Sequence, residues 1–341
     1  MTSLDLNRPK IEDVARVAGV SIMSVSRAMR GVEGLSIETR NRIIETAEQL
    51  GYVPNRAAGS LATAASNLIG ISVPTLFDSV WAEIIEGMRG PLHRAGFDTM
   101  IETSDYSKQR EEAWIERVIK GSPAAIVLSG TDHSTKSRRR LITSKIPILE
   151  VWDIIEEPID VCVGIDHYAA GQAMGAHIIG MGYRRPAYVG VAKGRDPRAE
   201  KRFRGLSDVF SAAGISFVSN IRVDEPSSFQ TGRQGCAHAL DSADGRSDVI
   251  CFLNDHLAFG GMMECAARGL DIPEDIGIVG FNNLGINSVL PQRLTTSTTP
   301  RTQIGATGAK LLIAALRGIR KDRTIILPVG IDPGETTTVQ K

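Results

Sequence analysis

Ile11, Val14, Ala15 and Ala18 fall at i, i+3, i+4 and i+7, which draws one apolar stripe along a short helix and leaves its other face polar. Gly19 ends that helix. Ser21 is placed to cap a second helix by accepting a hydrogen bond from an orphan backbone N–H. Val25, Ala28 and Met29 give the second helix an inward face, and Ile22, Met23, Ser24, Ser26 and Arg27 lie outward. A third helix is predicted after Ser36, with Ile43, Ile44, Ala47 and Leu50 buried and Gly51 as its stop, since a left-handed cap costs glycine little. Three such helices close a miniature core and read as a helix-turn-helix. Pro54 blocks continuation, and Asn55 can cap a short segment running through Arg56, Ala58 and Leu61. With Gly59 in its middle, disfavouring helix by about 1 kcal/mol relative to Ala, that segment orders only when docked.

From Leu68 onward the pattern changes. Apolar runs at 68–73, 125–128, 147–149, 187–189, 248–252 and 276–279, with a further strand near 161–165, alternate with helical stretches such as 80–95, 168–180, 200–213 and 256–268. Short buried strands alternating with helices predict parallel sheets of βαβ units, and the length accommodates two. The expected fold is an N-terminal all-α helix-turn-helix domain followed by an α/β core of two Rossmann-like subdomains. The stretch after Asp166 looks like the start of a second copy of the first half.

Composition narrows the partners less than placement does. The 341 residues carry 39 Lys and Arg against 39 Asp and Glu, and residues 1–62 carry eight against seven, so bulk charge gives no sign of a nucleic acid. DNA affinity must come from where Arg8, Lys10, Arg27, Arg30, Arg40, Arg42 and Arg56 stand. Cys162, Cys236, Cys251 and Cys265 show no CxxC pairing and no histidine at zinc spacing, and are expected to be reduced core thiols, with no metal and no cofactor. The N-terminus lacks a basic segment followed by an apolar run, and no stretch approaches a membrane span, so a cytoplasmic protein is expected.

The string Asp13-Val14-Ala15, Ala18-Gly19-Val20-Ser21, Val25-Ser26-Arg27 and then Gly51-Tyr52-Val53-Pro54-Asn55-Arg56-Ala57-Ala58 resembles the lactose-repressor (LacI) family of bacterial transcription regulators, over essentially the whole chain. The resemblance implies a core like that of periplasmic sugar-binding proteins. Its domains would be a reading head at 1–53, a hinge at 54–66 and a core at 67–341. The core would divide into an N-subdomain of about 67–165 and 296–323 and a C-subdomain of about 166–295 and 324–341.

The resemblance places Ile22 and Met23 where the family reads bases, beside Ser21, Ser24, Ser26 and Arg27. An apolar pair there leaves thymine methyls as the matching chemistry. It also places Asn55, Arg56, Ala58 and Leu61 in a hinge helix that pairs with its mate in the minor groove, Leu61 wedging between base steps. Because one head reads few base pairs, and no leucine heptads follow the last strand, a homodimer on a palindromic operator is expected.

For an effector, Phe77, Asp78 and Trp81 follow the first core strand at its carboxyl end, where open α/β sheets bind ligands. Arg202 matches the family's effector-binding arginine, with Arg198 a neighbour, and Asn254 with Asp255 matches a pair that hydrogen-bonds sugar hydroxyls. Asn282 stands where the family usually carries aspartate, and losing that charge beside Arg202 favours a sugar acid over a neutral sugar. Val73-Pro74-Thr75-Leu76, Glu264-Cys265 and Thr299-Pro300-Arg301 look most like the gluconate-repressor branch. The rival readings are an α/β enzyme and a sugar-binding protein without a DNA role. Against an enzyme, the chain has no GxxxxGK[ST] loop, HExxH, GxSxG elbow or GxGxxG after a strand.

Overall fold

A computed structural model describes residues 9–29, 31–53, 66–242, 246–319 and 322–340. The chain divides into two compact units, 1–66 and 67–341. The first holds α1 (Ile11–Ala18), α2 (Ile22–Met29) and α3 (Ile37–Leu50). Val14, Ala15, Ala18, Val25, Ala28, Ile43 and Ala47 form its buried core, the stripes that the periodicity marked. Ile44 and Leu50 are half-buried at its edge. Gly19 and Gly51 take left-handed conformations at φ 66° and 67° and end α1 and α3. Ser36 caps α3, accepting from the Thr39 backbone N–H at 3.2 Å.

The second unit contains two six-stranded sheets. The first half comprises β1 (Leu68–Val73), α4 (Ser79–Arg94), β2 (Asp98–Thr103), α5 (Lys108–Lys120), β3 (Ala125–Ser129), α6 (Thr135–Ser144), β4 (Ile148–Trp152) and β5 (Val161–Gly164). The second half comprises α7 (His167–Gly180), β6 (Pro186–Val191), α8 (Pro197–Ala212), β7 (Ser219–Val223), α9 (Phe229–Leu240), β8 (Val249–Phe252), α10 (Asp255–Ala267), β9 (Gly277–Asn282), a 3-10 turn (Gly285–Val289) and β10 (Thr295–Thr298). The chain then returns to the first half with α11 (Arg301–Leu316) and β11 (Thr324–Ile326), and ends in the second sheet with β12 (Gly330–Asp332).

The strand orders are β2-β1-β3-β4-β5-β11 and β7-β6-β8-β9-β10-β12. They are the same order written twice. Every pairing is parallel except β10 with β12, which runs antiparallel. In the first sheet Ile71 stands opposite Ile101 on one side and Val127 on the other, and in the second Val189 stands opposite Ile221 and Phe252.

The subdomain boundaries expected at 295/296 and 323/324 each move by a few residues. Thr295–Thr298 pairs with β9, so the return crossing lies at 299–300. Thr324–Ile326 pairs with β5, so these residues belong to the first half and the last crossing lies at 327–329. The four cysteines are free and buried. Among the described residues no helix is long and apolar enough to cross a membrane.

Candidate effector cleft and DNA-reading head

In the head, the Ser21 hydroxyl accepts from the Ser24 backbone N–H at 3.1 Å and so fixes the start of α2. Val25 and Ala28 face the core, which turns the opposite side of α2 to solvent. Ile22 is 48% and Met23 65% exposed, so Ile22 does not take the inward position that its hydrophobicity alone would allow. Arg27 is exposed on the same helix, and Ser24 and Ser26 are half-buried. The outward face thus offers two apolar side chains and hydroxyls near the helix N-terminus and one cation, Arg27, in its last turn, a set suited to thymine methyls and backbone phosphates. Arg40 donates to the Val32 carbonyl at 2.7 Å and ties α3 to the loop after α2. Asn55, Arg56, Ala58 and Leu61 lie outside the described residues.

In the core, the carboxyl ends of the strands of both halves meet at a cavity. Its walls include Tyr106, Lys108, Gly130, Thr131 and Asp153 from the first half and Arg195 and Arg198 from the second. None of the six expected effector residues lines this cavity. Trp81 borders it, because the Arg198 guanidinium lies 5.1 Å from the Trp81 ring centroid. Arg198 is paired with Asp196 at 2.9 Å. Burial works against the Asp196 charge, but the Arg198 and Arg202 guanidinium groups hold its carboxyl well below the usual range. The Tyr106 hydroxyl faces this pair and Asp78, and burial pushes its pKa up to about 12, so it remains a neutral donor. Lys201 reaches across from the second half to bind both Asp153 oxygens, at 2.8 and 2.7 Å.

Behind the cavity an aromatic row joins the halves. Trp81 meets Trp152 edge-on at 6.2 Å, Trp152 meets His167 at 5.4 Å, and His167 meets Phe281 at 5.9 Å. Arg202 closes the row, its guanidinium 4.2 Å from the Phe281 centroid. Its Nη1 is 3.1 Å from His167 Nδ1, and its Nη2 donates to the Leu253 carbonyl at 3.3 Å.

The approach of α7 and α8 makes this possible. A Cβ on Gly171 would stand 2.1 Å from the Arg202 carbonyl oxygen, and one on Gly205 would stand 2.1 Å from that of Tyr168. Only glycine permits the two backbones to touch there, one turn from His167 on α7 and at Arg202 itself on α8.

The other expected residues are placed differently. Phe77 is 83% exposed on the loop after β1. Asp78 caps α4, accepting from the Val80 backbone N–H at 3.0 Å. Asn254 caps α10 and exchanges hydrogen bonds with Ser227, so its amide is occupied within the protein. Asn282 ends β9 at φ 121°, and its side-chain oxygen is buried with no hydrogen-bond partner. The Asn282 and Asn283 carbonyls accept from the Arg301 guanidinium, which also binds Glu83 of the first half at 2.8 Å. Arg301 therefore straps one half to the other. Trp152, His167, Phe281 and Tyr106 join the site without having been singled out from the sequence. The only signal available was that each stands at or just beyond a strand end. Among the described residues no group of His, Cys, Asp and Glu is placed to hold a metal ion.

A helix-turn-helix head ahead of a two-half α/β clamp defines a DNA-binding regulator with a small-molecule cleft. Residues 10–55 match the model for bacterial regulatory proteins of the lacI family, and residues 176–337 that for the periplasmic binding protein-like domain. The HTH-type transcriptional regulator GntR of Escherichia coli K12 is 32% identical over 91% of this chain and 93% of its own length. Its namesake in Pseudomonas aeruginosa is 33% identical over 95% and 94%. A crystal structure of a LacI-family transcriptional regulator from Silicibacter pomeroyi, 32% identical, superposes with a TM-score of 0.90 over 97% of this chain and 99% of that one. The chain belongs to the LacI family of bacterial transcription regulators, and its relatives are regulators rather than enzymes.

Proposed function

We propose that this regulator acts in the cytoplasm as a homodimeric repressor on a near-palindromic operator, and that a sugar acid gates it. Ser21, Ile22, Met23, Ser24, Ser26 and Arg27 would meet the major groove, and Asn55, Arg56, Ala58 and Leu61 the minor groove. Phe77, Asp78, Trp81, Arg202, Asn254 and Asn282 remain the effector candidates, with Arg202 at their centre.

The observation that carries the effector class is the state of Arg202. Its guanidinium is half-buried, and among the described residues it makes no direct ion pair with a carboxylate, Asp196 acting on it only from beyond contact distance, while Asn282 adds no charge to repel an acid. A carboxylate on that fork would gain two charge-assisted hydrogen bonds, each worth roughly 1.5–3 kcal/mol. The similarity to two GntR regulators agrees with an effector of this class.

Isothermal calorimetry on the full chain with gluconate and other aldonates against neutral sugars tests the reading. Aldonates should bind the wild type more tightly, and Arg202→Ala should bind them at least tenfold more weakly while retaining operator binding. Tighter binding of a neutral sugar, or normal aldonate binding by Arg202→Ala, would overturn the effector class. Deleting residues 1–62 should abolish operator binding and leave effector binding in place.

A further inference from the structure

The cations of the cleft differ in what holds them. Arg198 is paired with Asp196, Lys201 with Asp153, Arg301 with Glu83 and, further along α8's neighbourhood, Arg222 with Glu200. Arg202 is held by an imidazole and a backbone carbonyl. We infer that His167 is the positioning residue that aims Arg202 at an anionic ligand without neutralising it, and thereby sets the preference of the cleft for acids over neutral polyols. This rests on the sugar-acid reading of the same site.

A guanidinium has only donors, so at 3.1 Å the His167 Nδ1 must accept. The ring is then neutral, with its proton on Nε2. A second proton would place an imidazolium against Arg202, with Arg198 and Lys201 also nearby and Asp196 as the only opposing charge among its principal neighbours. Burial and Arg202 accordingly hold the His167 pKa well below its usual value. The ring cannot swing away, because it is fully buried between Trp152 and Phe281. The touching backbones at Gly171 and Gly205 fix the distance from α7 to Arg202. A carboxylate at position 167 would hold the guanidinium as firmly but would compete with the ligand for it. A neutral acceptor orients the fork and leaves its charge to the ligand.

Substitutions that keep or remove each property separate them. His167→Asn retains an acceptor bonded to the same Cγ as Nδ1, His167→Phe retains a ring without an acceptor, and His167→Asp supplies a carboxylate. In the full chain, calorimetry with gluconate and with glucitol, its neutral counterpart, should show two patterns. His167→Asn should keep the wild-type ratio of the two affinities. His167→Phe and His167→Asp should each lower gluconate affinity by about tenfold or more and leave glucitol affinity unchanged. A merely structural role would weaken both ligands together, and that result, or a wild-type ratio in His167→Asp, would overturn the inference.

The ligand-free protein gives a second readout. The 15N spectrum of the imidazole should show the Nε2–H tautomer alone between pH 6 and 8, and an Nδ1–H tautomer or an imidazolium there would overturn the inference. If the wild type binds no aldonate, the sugar-acid reading fails, and the tautomer spectrum still decides whether His167 positions Arg202.

Discussion

In the first half of the α/β core a cluster of buried polar groups carries charge. Glu150 stands fully buried in β4, His133 lies between Glu111 at 2.8 Å and Glu150 at 3.5 Å, and Glu150 also accepts from the Ile159 backbone N–H at 2.7 Å. In the second half most of the buried polar groups are hydroxyls and amides. Thr336 donates to the Ile278 carbonyl at 2.6 Å and accepts from the Thr295 backbone at 2.8 Å, and Asn287 receives the Leu294 N–H at 2.7 Å. A fully buried carboxylate there, Asp255, accepts from Thr296 at 2.6 Å and from the Leu284 backbone at 2.8 Å. Two sheets with the same strand order thus satisfy their interiors in different ways. A neutral hydroxyl that loses one partner costs a hydrogen bond, whereas a buried charge that loses its partner costs far more.

The largest expected effect follows from that difference. His133→Ala leaves Glu111 and Glu150 buried without their cation and should lower stability by about 3–5 kcal/mol. Urea unfolding followed by tryptophan fluorescence reads this half selectively, since Trp81, Trp114 and Trp152 all lie in it. A change below about 1 kcal/mol would show that the ionic arrangement is not what supports β4.

The second prediction concerns pH. The His133 pKa is raised to about 9, because its two carboxylate neighbours outweigh burial. The native state therefore holds this proton more tightly, and its stabilisation is complete below pH 6.5 and is lost as pH rises through 9. Burial raises Asp255 to about 6, so there too stability falls as pH rises, but between about pH 4 and 6. Asp255→Asn should flatten the acidic slope, removing up to about 3 kcal/mol of pH dependence, and leave the alkaline slope intact. If the acidic slope persists in that variant, the second half does not titrate through Asp255.

Gly205→Ala should cost about 1–3 kcal/mol by forcing α7 and α8 apart, and should weaken aldonate binding at the same time. Calorimetry beside thermal unfolding checks whether the two losses occur together. The smallest effect is expected from Phe77→Ala, where an exposed side chain is removed and stability should stay within about 0.5 kcal/mol. A loss of effector binding without loss of stability would make Phe77 a ligand contact.

The central strands were legible because they are continuous apolar runs, as at 68–73 and 276–279. The edge strands β2 and β7 were not singled out. Asp98–Thr103 is mostly exposed and Ser219–Val223 half-buried, so neither presents an apolar run. Arg202 was legible only through family resemblance. His167 offered only its place just beyond β5, since a histidine opening a helix reads the same whether it faces water or an arginine. The boundary near 324 was missed because three residues, Thr324-Ile325-Ile326, give no hint of which sheet edge will accept them.

The return of α11 and β11 to the first sheet has a consequence for synthesis. Residues 67–164 emerge from the ribosome without the helix that covers β4 and β5 and without the strand that closes the sheet edge. The helix begins roughly 140 residues later and the strand roughly 160, which at about 5–20 residues per second leaves β5 an open edge for some 8 to 30 seconds. The second half, apart from β12, is complete by then. A nascent chain of this architecture finishes its middle before its beginning, and during that interval the first half is where a chaperone would find exposed apolar surface.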